Sequence, residues 1–432
     1  MRNTFYISCP IDTYSGYGAR SRDFVKAIIE SEKYDVVIVP QRWGDTRKGF
    51  INDFKEWGFL NNYLMDNVNL HREKPDIWCQ ITVPNEFQAI GRYNIGLTAG
   101  IETTQCAASW IEGCNRMNLV LTSSTHSKNV LEITKYKVVD KNNPEISTEL
   151  KLTTPVEVLI EGVNLNVYKP LKTPMTSNKL YKHIDSIPEN FAYLFVGHWL
   201  QGEMGEDRKN VGLMLKAFYE VFKNKSNAPA LILKSSCGKG SHMDRREIMR
   251  RIDAIRKTID AKIIPNVYLI HGDLSDAEIN ELYNHPKVKS MISATKGEGF
   301  GRPLLEFALT GKPVIASGWS GQTDFLDSKH NILLGGTLTN IHPSAQHPEM
   351  LVEGSKWFSV DHGQLGNALV DVKKNYKDWY KKGKIHKNIL KKNFSYESMK
   401  SQIYEILDNN ISNIPVAVKL TLPKLNLPKL QK

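Results

Sequence analysis

The chain has 432 residues, a formal net charge of +11, 41% apolar residues and 24% charged residues. That length exceeds one ordinary hydrophobic core, so two domains are expected. The composition is that of a globular protein, and no apolar run is long enough for a transmembrane helix. The positive excess favours an anionic partner (nucleotide phosphates, nucleic acid or an acidic membrane surface) without choosing among them.

In chain order, "MRNTFYISCPID" reads as a first strand, being too short and too polar for a secretory leader. A cytoplasmic location is expected. The five cysteines, Cys9, Cys79, Cys106, Cys114 and Cys237, are scattered and unpaired by spacing, so reduced thiols and no metal site are expected. "YSGYGARSRDF" places Gly16 and Gly18 after the first strand, opening a helix from about Gly18 to Glu30. A Gly-x-Gly there suits either a nucleotide-binding turn or a plain strand-to-helix turn. Further strands start at Tyr34, Asp76, Asn94, Asn118 and Val156. "ITVPNEFQ" and "AGIETT" end two of them. They offer Glu86 and Glu102, each either an acceptor contact or base or a structural carboxylate, with the structural reading preferred for Glu86. In "SSTHSKNV", Ser124 or Ser127 suits a helix cap.

"NLNVYKPLKTPMTSNK" has no clear period and marks the join between domains. The same alternation then resumes, with strands from Ala192, Ala230, Asn266, Val288 and Lys312. Strands alternating with helices predict parallel α/β sheets, and two such series predict two doubly wound domains. The expected division is 1–170, then 171–395, then a segment 396–432 holding a helix that returns to the first domain and a basic, Pro-containing tail. The run "RREIMRRIDAIRK", with Arg245, Arg246, Arg250 and Arg251, is a basic helix. Its readings are a solvated face or a face for nucleic acid or an anionic membrane.

"KGEGFGRPLLEFALTGKPVIAS" (from Lys296) follows a buried strand. Gly297, Gly299 and Gly301 would let the backbone approach a ligand. Pro303 suits the first turn of a helix, whose free N–H groups favour an anion. Glu298 is then on a ligand-facing loop and Glu306 about one turn into the helix. Carboxylates accept hydrogen bonds from sugar hydroxyls. The alternative is a loop surface charge and an ordinary exposed helix residue.

This stretch resembles the signature of retaining glycosyltransferases of the GT-B fold, above all glycosyltransferase family 4. There a glutamate precedes Gly-Phe-Gly, and a second glutamate precedes Gly-x-Pro-Val-Ile-Ala. The resemblance implies an α/β fold of two Rossmann-like, doubly wound domains facing each other across a cleft. It implies a nucleotide-diphosphate sugar as donor, with Glu298 on the sugar hydroxyls and Glu306 on the ribose. The backbone from Gly299 through Phe300, Gly301 and Arg302 to Pro303 would approach the sugar and phosphates. "VEVLIEGVNLNVYKP" is similar to the family's domain-ending strand and turn. "DRKNVGLMLKAF" is similar to its basic turn, with Lys209 on the diphosphate. In "NVYLIHGDLSDAEINELY", the backbone after Gly272, at Leu274, would border the base. Gly16 and Gly18, with Arg20, would border the donor phosphate or the acceptor from the opposing domain.

Two departures stand out. The family's arginine sits a few residues before its lysine, whereas Arg208 adjoins Lys209; Arg208, His198 or Trp199 is the expected partner. The first domain also lacks the family's histidine, leaving Glu102 and Thr103 in that place. The chain has no Asp-x-Asp for a metal-bridged diphosphate, so metal-independent transfer with no further cofactor is expected. Surface-glycan or glycolipid synthesis ranks first, with a glycan or lipid-linked acceptor and peripheral contact at the inner membrane face. The alternatives are glycosylation of hydroxymethylated DNA bases and non-catalytic binding of a nucleotide sugar.

Overall fold

The computed structural model describes residues 2–65, 74–139, 147–171, 179–238, 240–411 and 414. The tail expected beyond that point lies outside the described residues. Two six-stranded parallel sheets form the body. The first runs in the order Tyr34–Pro40, Asn3–Cys9, Ile77–Ile81, Tyr93–Thr98, Leu119–Thr122, Val156–Val158. The second runs Val267–Ile270, Ala230–Ser236, Ala192–His198, Val288–Ser293, Val314–Ser317, Ile332–Leu334. By chain order these are 2-1-3-4-5-6 and 3-2-1-4-5-6, both doubly wound.

Ile77–Ile81 shows why the strands form. All five of its side chains are buried, as a parallel strand covered on both faces requires. In Ala192–His198 the side chains alternate. Tyr193 and Phe195 enter one apolar cluster, while Ala192 and Leu194 enter the cluster on the other face. Two antiparallel hairpins were not expected: Lys135–Val139 with Ser147–Lys151, and Gly336–Asn340 with Lys356–Val360. Three of these four strands are mostly exposed, and Ser147–Lys151 and Gly336–Asn340 are mostly polar, so they lack the buried apolar run that marks the others.

The helix Tyr396–Asn410 crosses back to the first sheet. Met399, Ile403 and Leu407 join Phe5, Ile7 and Phe24 in one buried cluster. The crossover is pinned by Val163 N–H donating to Phe394 O and Tyr396 N–H to Val163 O, both at 2.9 Å. Arg20 belongs to this joint rather than to a phosphate site. Its buried guanidinium donates to Leu159 O and Ile160 O at 2.5 Å and touches Met399 Sδ at 3.3 Å.

Candidate active site

Ala192–His198 and Val288–Ser293 are neighbours from which the chain winds in opposite directions. Such a point opens a crevice at the carboxyl ends of the strands. Both basic and acidic candidates stand there. The turn after the first strand is held by Asp207, whose buried carboxylate accepts from Val211 N–H at 3.0 Å and opens the helix Val211–Phe222. Lys296 N–H donates to Arg208 O at 2.8 Å, laying this turn against the loop after the second strand.

Lys209 consequently reaches Glu298, its Nζ contacting Oε1. Arg208 lies between two carboxylates. Its Nη1 is 2.6 Å from Glu102 Oε1 and 3.9 Å from Glu298 Oε2, and it donates to Gly297 O at 3.3 Å. Two cations from one loop thus face a carboxylate from each domain. Burial pushes Lys209 down, against the pull of Glu298. Burial would raise Glu298, but Lys209 and Arg208 outweigh it and hold its carboxyl below the usual range. Glu102 is pushed up by burial, partly offset by Arg208 and Lys209. Buried charges persist only when so paired, and an anion entering here meets two donors already in place.

The glycine loop corrects one expectation. A Cβ on Gly297 would lie 1.9 Å from Glu102 O, and one on Gly299 would lie 2.1 Å from Ala99 O. The close approach that excludes a side chain is to the opposing domain's 99–102 loop, not to space left for a ligand. Gly301 differs: its φ of 97° is left-handed, and it opens the helix Arg302–Ala308. Phe300 is buried against Phe325 and Phe394, so its side chain belongs to the second domain's core.

Glu306 is buried, not an exposed helix residue. It accepts from Arg302 Nε at 2.9 Å and Tyr283 Oη at 3.3 Å. Burial pushes its carboxyl up to about 7, against the pull of Arg302. Arg302 continues across the domain boundary, with Nη1 2.7 Å from Asp23 Oδ2.

The remaining candidates divide. A Cβ on Gly16 would meet nothing within 4 Å, whereas one on Gly18 would strike Thr13 O at 2.3 Å, so packing alone accounts for Gly18. Gly272 has a left-handed φ of 104° and open space around it. Leu274 packs against the second domain's core. His198 stays at its strand end, Nδ1 2.8 Å from Ser236 Oγ, and burial together with Lys209 and Arg208 depresses its pKa. Trp199 turns into the core and does not line the crevice. Thr103 is buried, donating to Gln105 O at 2.8 Å. Ser124 caps its helix, and Ser127 Oγ accepts from Ile101 N–H at 2.9 Å, bracing the 99–102 loop. Glu86 is held by the Thr82 hydroxyl.

Two residues carry no motif and were not expected. Asp23 is the partner of Arg302 across the boundary. Lys234 stands beside Val196 and Ile270 near the carboxyl end of its strand, with its pKa depressed by burial. A lysine ending the apolar run "ALILK" is the signal that marks it.

No family model matches the chain, and no curated protein matches it by sequence. Solved structures do match over nearly its whole length. Anabaena HepE, in complex with UDP and glucose, superposes with a TM-score of 0.61 at 14% identity, covering 94% of this chain and 100% of its own. A glycosyltransferase from Rickettsia africae gives 0.60 at 15% identity, over 95% and 99%. Sucrose-phosphate synthase from Thermosynechococcus elongatus gives 0.59 at 12%, over 94% and 99%. Together with the two doubly wound sheets, these likenesses establish the fold: the chain has GT-B architecture, two Rossmann-like domains facing across a cleft.

Proposed function

We propose that the chain is a retaining, metal-independent glycosyltransferase of the family 4 type. It would move a sugar from a nucleotide-diphosphate sugar to an acceptor hydroxyl in surface-glycan or glycolipid synthesis. The observation that carries this is the meeting of Lys209, Arg208 and Glu298 at the switch point, closed over by Glu102 of the other domain. The neighbours support the donor class: HepE is described in complex with UDP-glucose.

On this reading the diphosphate takes up Lys209 and Arg208, which otherwise neutralise Glu298 and Glu102. The bond from the anomeric carbon to the phosphate oxygen breaks, and the oxygen keeps the electron pair. Preorganised cations stabilise that developing charge. Glu298 holds the sugar hydroxyls. The acceptor oxygen bonds to the anomeric carbon from the same face, and its proton passes to the departing phosphate. Glu306, freed in part from Arg302, accepts from the ribose.

The test is a panel of nucleotide sugars, reading binding and nucleotide release with oligosaccharide, lipid-linked and hydroxymethylated-DNA acceptors. Transfer to the first two supports the reading. Transfer to the DNA alone assigns the other acceptor class, and binding without turnover makes the chain a binder.

Two expectations follow here. Activity persists in EDTA, since cationic side chains meet the diphosphate charge; loss in EDTA that manganese or magnesium reverses would contradict this. UDP affinity falls as pH drops through about 7, because the Glu306 carboxyl becomes protonated and loses a charge-assisted bond. Glu306→Gln should lower affinity about fivefold at high pH and flatten that dependence. Calorimetric titration with UDP across pH decides it: an unchanged profile in the variant removes Glu306 from the ribose site.

A further inference from the structure

One stretch of this chain is unusually rich in positive charge. From Lys373 to Lys392 there are nine lysines and one aspartate, a formal +8 of the chain's +11. Most of this segment is the helix Tyr376–Asn393. Gly383, His386 and Leu390 fix its inner face. A Cβ on Gly383 would lie 2.5 Å from Gly311 O, so the helix is seated closely and its rotation is set.

The outer face combines two properties. Lys377, Lys381, Lys382, Lys384 and Lys392 are exposed. Among them stand Ile385 and Ile389, 57% and 41% exposed and one turn apart on the same side. Among the described residues, only Lys381 of this helix has a carboxylate partner, Asp378 at 3.5 Å. Burial depresses Lys387, and Lys391 and Lys384 depress it further; Lys382 and Lys384 lie over the rings of Trp379 and Tyr380.

The helix His242–Lys257, the other basic run, is built differently. Its Arg250 and Arg251 share Glu247 at 2.7 and 2.9 Å, and six basic residues there face three acidic ones.

We infer that the outer face of Tyr376–Asn393 docks on an anionic lipid surface, with Ile385 and Ile389 entering below the headgroups and the lysines reaching the phosphates. Charge alone would suit a nucleic acid equally well, but a duplex offers nothing to two exposed isoleucines. A bilayer interface accepts both, with lysine stems lying along the apolar layer and ammonium groups at headgroup level. This inference does not depend on the reading of the cleft.

The experiment is co-sedimentation of the full chain with phosphatidylcholine vesicles, with and without phosphatidylglycerol, at low and high salt. Binding is expected only with phosphatidylglycerol and should weaken as salt rises. Lys381→Glu/Lys382→Glu/Lys384→Glu should abolish it. Ile385→Ser/Ile389→Ser, which keeps every charge, should weaken it about tenfold or more. All five positions are exposed; the lysine variant gives up the contacts of Lys381 with Asp378 and of Lys382 and Lys384 with the Trp379 and Tyr380 rings, so a small drop in melting temperature is expected and a retained cooperative transition serves as the folding control. Vesicle binding that survives the lysine variant overturns the inference. So does duplex DNA binding that outlasts the isoleucine variant in a chain that ignores vesicles, which would make this a nucleic-acid face.

Discussion

Replacing Lys209 with alanine should lower turnover by about 10²–10³, the usual effect of removing one preorganised donor to developing charge. The residue sits where the diphosphate would depart, and no other amine touches Glu298 among the described residues. Its loss also strands a buried carboxylate, which costs stability. Arg208, 3.9 Å from the other oxygen of Glu298, limits that cost. A Lys209→Ala/Glu298→Gln variant separates the two effects, since it removes the stranded charge without restoring the cation. Its melting temperature should recover, and because Glu298 itself holds the sugar, its turnover is compared with that of Glu298→Gln alone and should be lower still. Near-normal turnover in Lys209→Ala would show that the phosphate assignment is wrong.

The second large effect should come from a single methyl group. Gly297 has no left-handed φ, so its own backbone accepts alanine. The obstacle is Glu102 O, 1.9 Å from where the Cβ would stand. Gly297→Ala should therefore leave each domain folded but hold the domains roughly 1 Å too far apart. A misplacement of that size can cost about 10² in rate. UDP affinity, which on our reading belongs mainly to the second domain, should change little. Calorimetry with UDP, kcat and small-angle scattering together check this. Unaltered kcat would mean that the contact is not needed in the reacting state. Gly58→Ala, with nothing within 4 Å of its Cβ and no place in the candidate site, is the control.

Much of the fold was legible because parallel strands buried on both faces leave apolar runs such as "IWCQI" and "ALIL". Glu298 and Glu306 were legible as candidates from a local pattern, and Lys209 from its likeness to a family's basic turn. What joins them was not. Arg302 meets Asp23 across 279 positions, and Arg208 meets Glu102 across more than a hundred; pairings that distant leave no spacing to read. Gly297 and Gly299 were legible as glycines but not in their purpose, because the atoms that exclude a side chain belong to the other domain. The hairpin Gly336–Asn340 and Lys356–Val360 was missed because half of it faces outward and is polar.

The returning helix also bears on how the chain is made. The last strand of the first sheet ends at Val158, yet Met399, Ile403 and Leu407 complete the core beneath it. Ribosomes add roughly 5–20 residues per second, so this half-built core waits tens of seconds for its final piece. During that interval the cluster that holds Phe5, Ile7 and Phe24 lacks the apolar side chains of this helix, and the nascent chain is most in need of a chaperone. The second domain, whose own strands are contiguous in the chain, is therefore expected to finish folding before the one synthesised first.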